Sequence, residues 1–436
     1  MTTALARRTP SPAAAYTPPP EGLVHRVAGL RRTSPGRLQL ILAALLTLGL
    51  LTGLIAGLTA HAASSGTAGL GDRAQPLLVK AESVWSALAD ADTTAAQAFL
   101  AGGLEPDTLT QRYDADLAAA GTSLAGAARL VPAGSEAATA IDGLSVGLAK
   151  YAALVATARA DNRQGLPLGA SYLTAASTLN RDTLQPQAQA LFRIATDEID
   201  AGYDSAHSSW WLIAMLVLAV ALGVALLWAQ GYLSRTTHRT FNVPLVAATG
   251  LFALLILLTV TVFANQRNHL GEAAREGSEP VATFARLHIA VLTERADEAL
   301  TLAARGSADR EKDFDQTTAT IDFGDTRLEP AHEFAVAARQ QHDAYLATHD
   351  QVRGLSEGGD YDGAVALAVG DQASRQFGEL RTTLEGAIDN REAAFTEQIG
   401  AAGEWLDLLT LIGPLLALGI CALAVFGIRA RLEEYR

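Results

Sequence analysis

The chain has 436 residues, 49% of them hydrophobic and only 18% charged, with a mean hydropathy of +0.18. That balance is too apolar for an ordinary soluble protein and too well charged for one lying wholly in a membrane, so it points to membrane spans carrying soluble segments. The net charge of −13 disfavours nucleic acid as a partner, and the single cysteine, Cys421, excludes an intramolecular disulfide and any cysteine-rich metal centre.

Residues 1–37 hold Arg7, Arg8, Arg26, Arg31, Arg32 and Arg37 against one acid, Glu21, together with Pro10, Pro12, Pro18, Pro19 and Pro20. Such a segment cannot bury a core and reads as a disordered basic cytoplasmic leader. Residues 38–60 form the first of four stretches long and apolar enough to cross a bilayer; the others are 210–230, 244–264 and 406–428. Ala60, His61 and Ala62 resemble a signal-peptide cleavage site, but the apolar run and its leader are both too long, so the span is read as uncleaved. None of the four carries a charge in its middle, and Asp407 lies one residue inside the last. Ion and proton pathways usually place ionisable groups at depth, which argues against a transporter.

Segment 61–209 holds 9 basic and 16 acidic residues. Leu77, Ala81, Val84, Leu88, Ala91, Ala95 and Ala98 alternate four and three apart, as do Tyr113 to Val131, Ile141 to Ala158, and Leu184, Ala188, Leu191 and Ala195. Each set keeps one stripe facing a partner helix. Breaks at Gly102-Gly103, Pro132 with Gly134, and Gly165 with Pro167 divide the segment into four helices, bundle A. No strong breaker parts the first helix from the span before it, or the last from the span after it, although Ser64, Ser65, Gly66 and Gly69 offer an interruption. The loop 231–243 bears Arg235, His238 and Arg239 and no acid.

Segment 265–405 holds 13 basic and 26 acidic residues and repeats the plan as bundle B. A long helix begins near Arg267, a short one covers about 308–320, a third starts near Pro330, a short one lies at 361–369, and a last arm carries Phe377, Leu380, Leu384, Ile388, Phe395 and Ile399. The tail 429–436 adds Arg429, Arg431 and Arg436. Positive charge is retained inside, so leader, loop and tail are expected in the cytoplasm and both acidic segments outside. The fold class is therefore an all-α membrane protein: four transmembrane helices and two extracytoplasmic four-helix bundles in a duplicated span–bundle–span plan. The two halves share no obvious residue pattern.

No phosphate-binding loop, zinc-protease, nucleophile-elbow or kinase motif appears, and the inner segments are too short to fold alone, so a non-enzymatic protein without cofactor is expected. The carboxylates Asp309, Glu311, Asp313 and Asp315 alternate with Arg310 and Lys312 as a solvated linker rather than a calcium loop. His288, His342 and His349 are read as structural histidines, with metal binding or pH sensing as the alternative.

Bundles whose end helices extend from membrane spans resemble the sensing modules of bacterial chemoreceptors and sensor kinases. The stretch Asn162-Arg163-Gln164-Gly165-Leu166-Pro167-Leu168-Gly169-Ala170-Ser171-Tyr172-Leu173, with Asn180-Arg181-Asp182-Thr183-Leu184-Gln185-Pro186, is similar to an actinobacterial four-pass sensor-relay family of the GlnX type. The resemblance implies partnership with an extracytoplasmic amino-acid-binding lipoprotein and a cytosolic serine/threonine kinase, kinase G, in nutrient sensing. The chain ends at Arg436 without a relay domain, so output is expected to pass to that separate kinase. Arg235, Arg239, Arg429 and Arg431 are the candidate inner contacts, and a homodimer is a further partner to be considered. A direct small-molecule receptor would use Arg163, Tyr172 and Arg181; a transport-complex subunit is the remaining alternative.

Overall fold

A computed structural model describes residues 34–101, 105–206, 209–237, 242–303 and 308–432. Among the described residues the chain is helical and has no strand. In chain order the α-helices are α1 (Ser34–Gly69), α2 (Gln75–Leu100), α3 (Asp107–Ala128), α4 (Glu136–Arg163), α5 (Leu168–Leu179), α6 (Gln185–Ala206) and α7 (Ser209–Thr237). The second half supplies α8 (Val243–Ala273), α9 (Glu279–Ala303), α10 (Ala308–Thr318), α11 (His332–Glu357), α12 (Tyr361–Ala368) and α13 (Asp371–Leu432). The basic leader and Arg239 lie outside the described residues.

The chain forms two compact units. The first comprises Met1–Leu58, Trp210–Thr259 and Thr410–Arg436. Leu38, Leu45, Leu222, Leu226, Leu245, Leu255, Ile420 and Ile428 form its core. Its outward faces carry exposed Leu54, Leu216, Leu227, Leu411, Leu415 and Phe426. A continuous apolar exterior of this kind suits lipid rather than water. Gly49, Gly53 and Gly57 form a small-residue stripe on α1 that lets α13 approach closely: a Cβ at Gly53 would lie 2.5 Å from the Ala417 Cβ. Backbone polar groups are met locally, with Gln230 donating to the Leu245 carbonyl at 3.1 Å and Asn242 to that of Gly427 at 2.9 Å.

The second unit comprises Thr59–Ser209 and Val260–Leu409. Where the sequence plan has two bundles, both acidic segments contribute to one core that runs from Leu70 to Ala402. The reason lies in α2 and α9, which pack on one another. Each buries an apolar stripe, and each also buries what reads in sequence as a solvent face: Asp90, Asp92, Thr93 and Thr94 on α2, and Glu294, Arg295, Asp297 and Glu298 on α9. A helix buried all round is an interior helix. Thr93 Oγ1 reaches the Leu292 carbonyl across that contact at 3.3 Å.

Among the described residues, five helical stretches are long and apolar enough to cross a membrane: Gly36–Leu100, Glu136–Arg163, Leu212–Arg235, Val243–Ala303 and Asp371–Ala430. The first helix continues from its span, and the alternative of an interruption at Ser64 to Gly69 does not occur. Glu136–Arg163, which is α4, falls wholly in the second unit. Its Ile141, Leu144, Tyr151, Val155 and Ala158 are core residues there, while Asp142 and Lys150 are exposed.

Three of the long helices contain a π turn: Leu70–Ala74, Asn180–Leu184 and Ala274–Ser278. In each, the next residue donates its N–H five residues back, Gln75 to Leu70, Gln185 to Asn180 and Glu279 to Ala274. The residue after that is Pro76, Pro186 or Pro280. Proline removes one backbone donor and crowds the carbonyl four residues earlier, and a single widened turn accommodates it without breaking the helix. The pattern Asn180-Arg181-Asp182 also recurs as Asn390-Arg391-Glu392 in the last arm of the second segment, a shared signature too short to show as a similarity between the halves.

Candidate functional site

The π turn before Pro186 places Asn180 and Arg181 at the contact between α2 and α9. Asn180 is 1% exposed, donates to the Leu88 carbonyl at 2.9 Å, and leaves its Oδ1 without a partner. The Arg181 guanidinium, 17% exposed, pairs through Nη1 with Asp297 and stands 3.6 Å from Asp92 through Nε, and its Nη2 has no hydrogen-bond partner. Burial works against that charge, but Asp297 and Asp92 outweigh it and hold Arg181 more firmly protonated. Asp92 is fixed in turn by Ser177 at 2.8 Å and Tyr151 at 3.4 Å.

These groups line a cavity of about 570 Å³, whose wall also includes Trp85, Asp182, Gln185, Gln189 and Thr293. That volume is in the range of small-molecule sites, and Arg181 with the carboxylates Asp92, Asp182 and Asp297 gives the wall charged groups of both signs. A carboxylate suits the partly exposed Arg181 guanidinium, and an ammonium suits Asp182.

The other residues that the sequence suggests do not gather there. Arg163 is exposed at the end of α4, and Tyr172 packs half-buried against the core from α5; neither lines the cavity. Arg235 and Arg429 are exposed in the first unit. Arg239, and the side chain of Arg431, lie outside what is described.

The three histidines separate as well. His342 Nε2 is 2.8 Å from Glu294, whose other oxygen accepts from Thr318 at 2.6 Å. His349 Nδ1 is 2.7 Å from Glu298, and its ring stacks on Phe314 with centroids 3.8 Å apart. Burial opposes a charge on His349, but Glu298 and Glu311 outweigh it and raise the imidazole above its ordinary range. Burial likewise opposes the Glu298 carboxylate, and Arg295 with His349 reverses that and lowers it.

The two shifts set a pH window. A raised histidine contributes stability below its unfolded value of 6.5 and loses it as pH rises through the folded value; a lowered glutamate contributes above 4.5 and loses it as pH falls. The stability advantage of the wild type over His349→Gln is therefore expected to be greatest between pH 4.5 and 6.5 and to shrink above that, read from thermal melts of the full chain across pH. An advantage that grows as pH rises beyond that window would contradict the pairing.

No curated protein and no solved structure matches the chain. The apolar helices and the family comparison together support a membrane protein of the sensor kind. The segment that supplies α2 to α6, residues 66–204, matches the actinobacterial sensor domain.

Proposed function

We propose that the chain is a non-enzymatic transmembrane relay of the GlnX type, taking an amino-acid signal outside the cell and passing it to a cytosolic serine/threonine kinase. The observation that carries this reading is that the segment matching a sensor domain begins within the helical stretch Gly36–Leu100, which is long and apolar enough to cross a membrane. A helix of that kind converts a change at one end into a displacement at the other, provided the input binds two arrangements with different affinity. The arginine excess of the leader, the 231–243 loop and the tail supports a cytoplasmic placement for both termini. The resemblance of residues 162–186 supports an extracytoplasmic amino-acid-binding lipoprotein as the outer partner.

A second reading is favoured by the Arg181 cavity: the second unit takes the amino acid itself. In cells carrying a crosslinkable full-length chain, adding glutamine, glutamate or aspartate outside is expected to change severalfold the amount of kinase recovered. Arg181→Gln abolishes that change if the ligand binds directly and preserves it if a lipoprotein delivers the signal. Arg235→Lys with Arg239→Lys keeps the charge needed for insertion but loses the planar fork, so kinase recovery falls while membrane insertion is unchanged. Kinase recovery that ignores all three amino acids in the wild type removes the relay reading.

A further inference from the structure

His288 is the exception among the buried histidines described. His342 and His349 each hold a carboxylate within 2.8 Å, whereas His288, only 2% exposed, has no hydrogen-bond partner at either ring nitrogen. It sits on α9 facing α2 and α13. Glu82 Oε1 is 3.5 Å from its Nδ1, and Glu385 Oε1 is 3.9 Å from its Nε2. One ligand atom each from Asp90, His288 and Glu385 lies within 4.8 Å of the other two. An imidazole buried without partners is costly, and these separations are too long for hydrogen bonds. Ligands that each sit about 2.0–2.2 Å from one metal ion are roughly 3–3.5 Å apart, so the Asp90 and Glu385 oxygens would close a coordination sphere by moving inward from separations of 3.9 Å and at most 4.8 Å.

The surrounding charges are compatible with a cation. Arg112 takes one oxygen of Asp90 at 2.9 Å, and Arg381 stands 3.7 Å from the other and 3.5 Å from Glu385. Three carboxylates, Glu82, Asp90 and Glu385, thus face two guanidinium groups and the imidazole. One nitrogen with two carboxylate oxygens is a donor set for zinc or manganese, whereas calcium and magnesium prefer oxygen alone.

We propose that Asp90, His288 and Glu385 form a binding site for a divalent transition-metal ion of the zinc or manganese class, with His288 Nε2 and one oxygen of each carboxylate as ligands. The same inward movement brings Glu82 Oε1, 3.5 Å from Nδ1, into reach of its N–H, and that bond fixes the tautomer that leaves Nε2 free for the metal. The ion ties α2 of the first acidic segment to α9 and α13 of the second, and the site stands whether or not the relay reading does. Sequence inspection misses it because the three ligands are far apart along the chain and two belong to polar faces that read as solvated.

The test is calorimetric titration of chelator-stripped full chain in nanodiscs with zinc chloride, alongside metal analysis after desalting. One equivalent per chain is expected. Glu385→Gln, at a partly exposed position where folding should survive, weakens binding at least tenfold; His288→Gln does the same, and Glu82→Gln weakens it about tenfold as an outer-shell partner. His349→Gln leaves binding as in the wild type. Absence of zinc binding, binding that Glu385→Gln leaves unchanged, or binding lost in His349→Gln instead would each overturn the proposal.

Discussion

Arg295→Met is expected to cost about 3–5 kcal/mol of stability, the largest loss from any single substitution considered for the second unit. The guanidinium is almost wholly buried on α9 and does three things at once. It pairs through Nη1 with Glu298, donates from Nη2 to the Ala368 carbonyl at 2.7 Å, and lies over the rings of Tyr345 and Phe377 at 5.8 and 5.6 Å. Methionine fills similar volume but leaves the Glu298 carboxylate with His349 as its remaining partner and the carbonyl with no donor. A buried charge stripped of its counter-charge is far more costly than a neutral pair, because nothing replaces the lost water. The thermal midpoint should fall by on the order of 10 °C. Adding Glu298→Gln to Arg295→Met removes the orphaned charge and should return a good part of the loss. A double variant no more stable than Arg295→Met alone would locate the cost in the aromatic contacts instead.

That network also shows where sequence reading stops. The stripes Leu77, Ala81, Val84, Leu88 and Ala91, or Ile141, Leu144 and Tyr151, are legible because apolar residues at helical spacing need a partner face, and these residues are buried. The opposite faces of α2 and α9 carry Asp90, Asp92, Glu294, Arg295, Asp297 and Glu298, and spacing alone cannot tell a solvated polar face from one that meets a complementary polar face. Only the pairing of the two helices decides it, and with it the Arg181 cavity and the surroundings of His288. The prolines are a related case. Spacing does not show how the helix passes Pro76, Pro186 and Pro280; a π turn before each lets it continue, because one widened turn relieves the clash that a regular helix would suffer. The Asn-Arg-acid triplet at 180–182 is legible as a motif. What is not legible is that the π turn makes Arg181 an interior residue, while Arg163, eighteen positions earlier, stays on the surface.

The second large effect belongs to the first unit. Gly53→Leu adds a branched side chain where a single Cβ would already stand 2.5 Å from the Ala417 Cβ, and Gly49 and Gly57 on the same stripe meet Cys421 and Pro414. Within lipid, helices associate through close packing of small residues rather than through a hydrophobic driving force, so forcing α1 and α13 apart removes much of what holds them together. Overpacking of this kind costs about 1–3 kcal/mol in cores that can adjust, and a glycine stripe has little room to adjust. Leucine is also more apolar than glycine, so insertion should be unaffected and the damage confined to packing. A direct reading comes from Gly49→Cys, whose Cβ would lie 2.6 Å from the Cys421 Sγ, so mild oxidation should close a bond between the two cysteines and block both to maleimide. In the Gly53→Leu background that crosslink should fall at least severalfold, with a lower thermal midpoint in detergent. Gly250→Leu is the matched control, since nothing lies within 4 Å of a Cβ there, and it should crosslink as well as the parent. If Gly53→Leu crosslinks as well as Gly250→Leu, the small-residue stripe does not set the approach of α1 to α13.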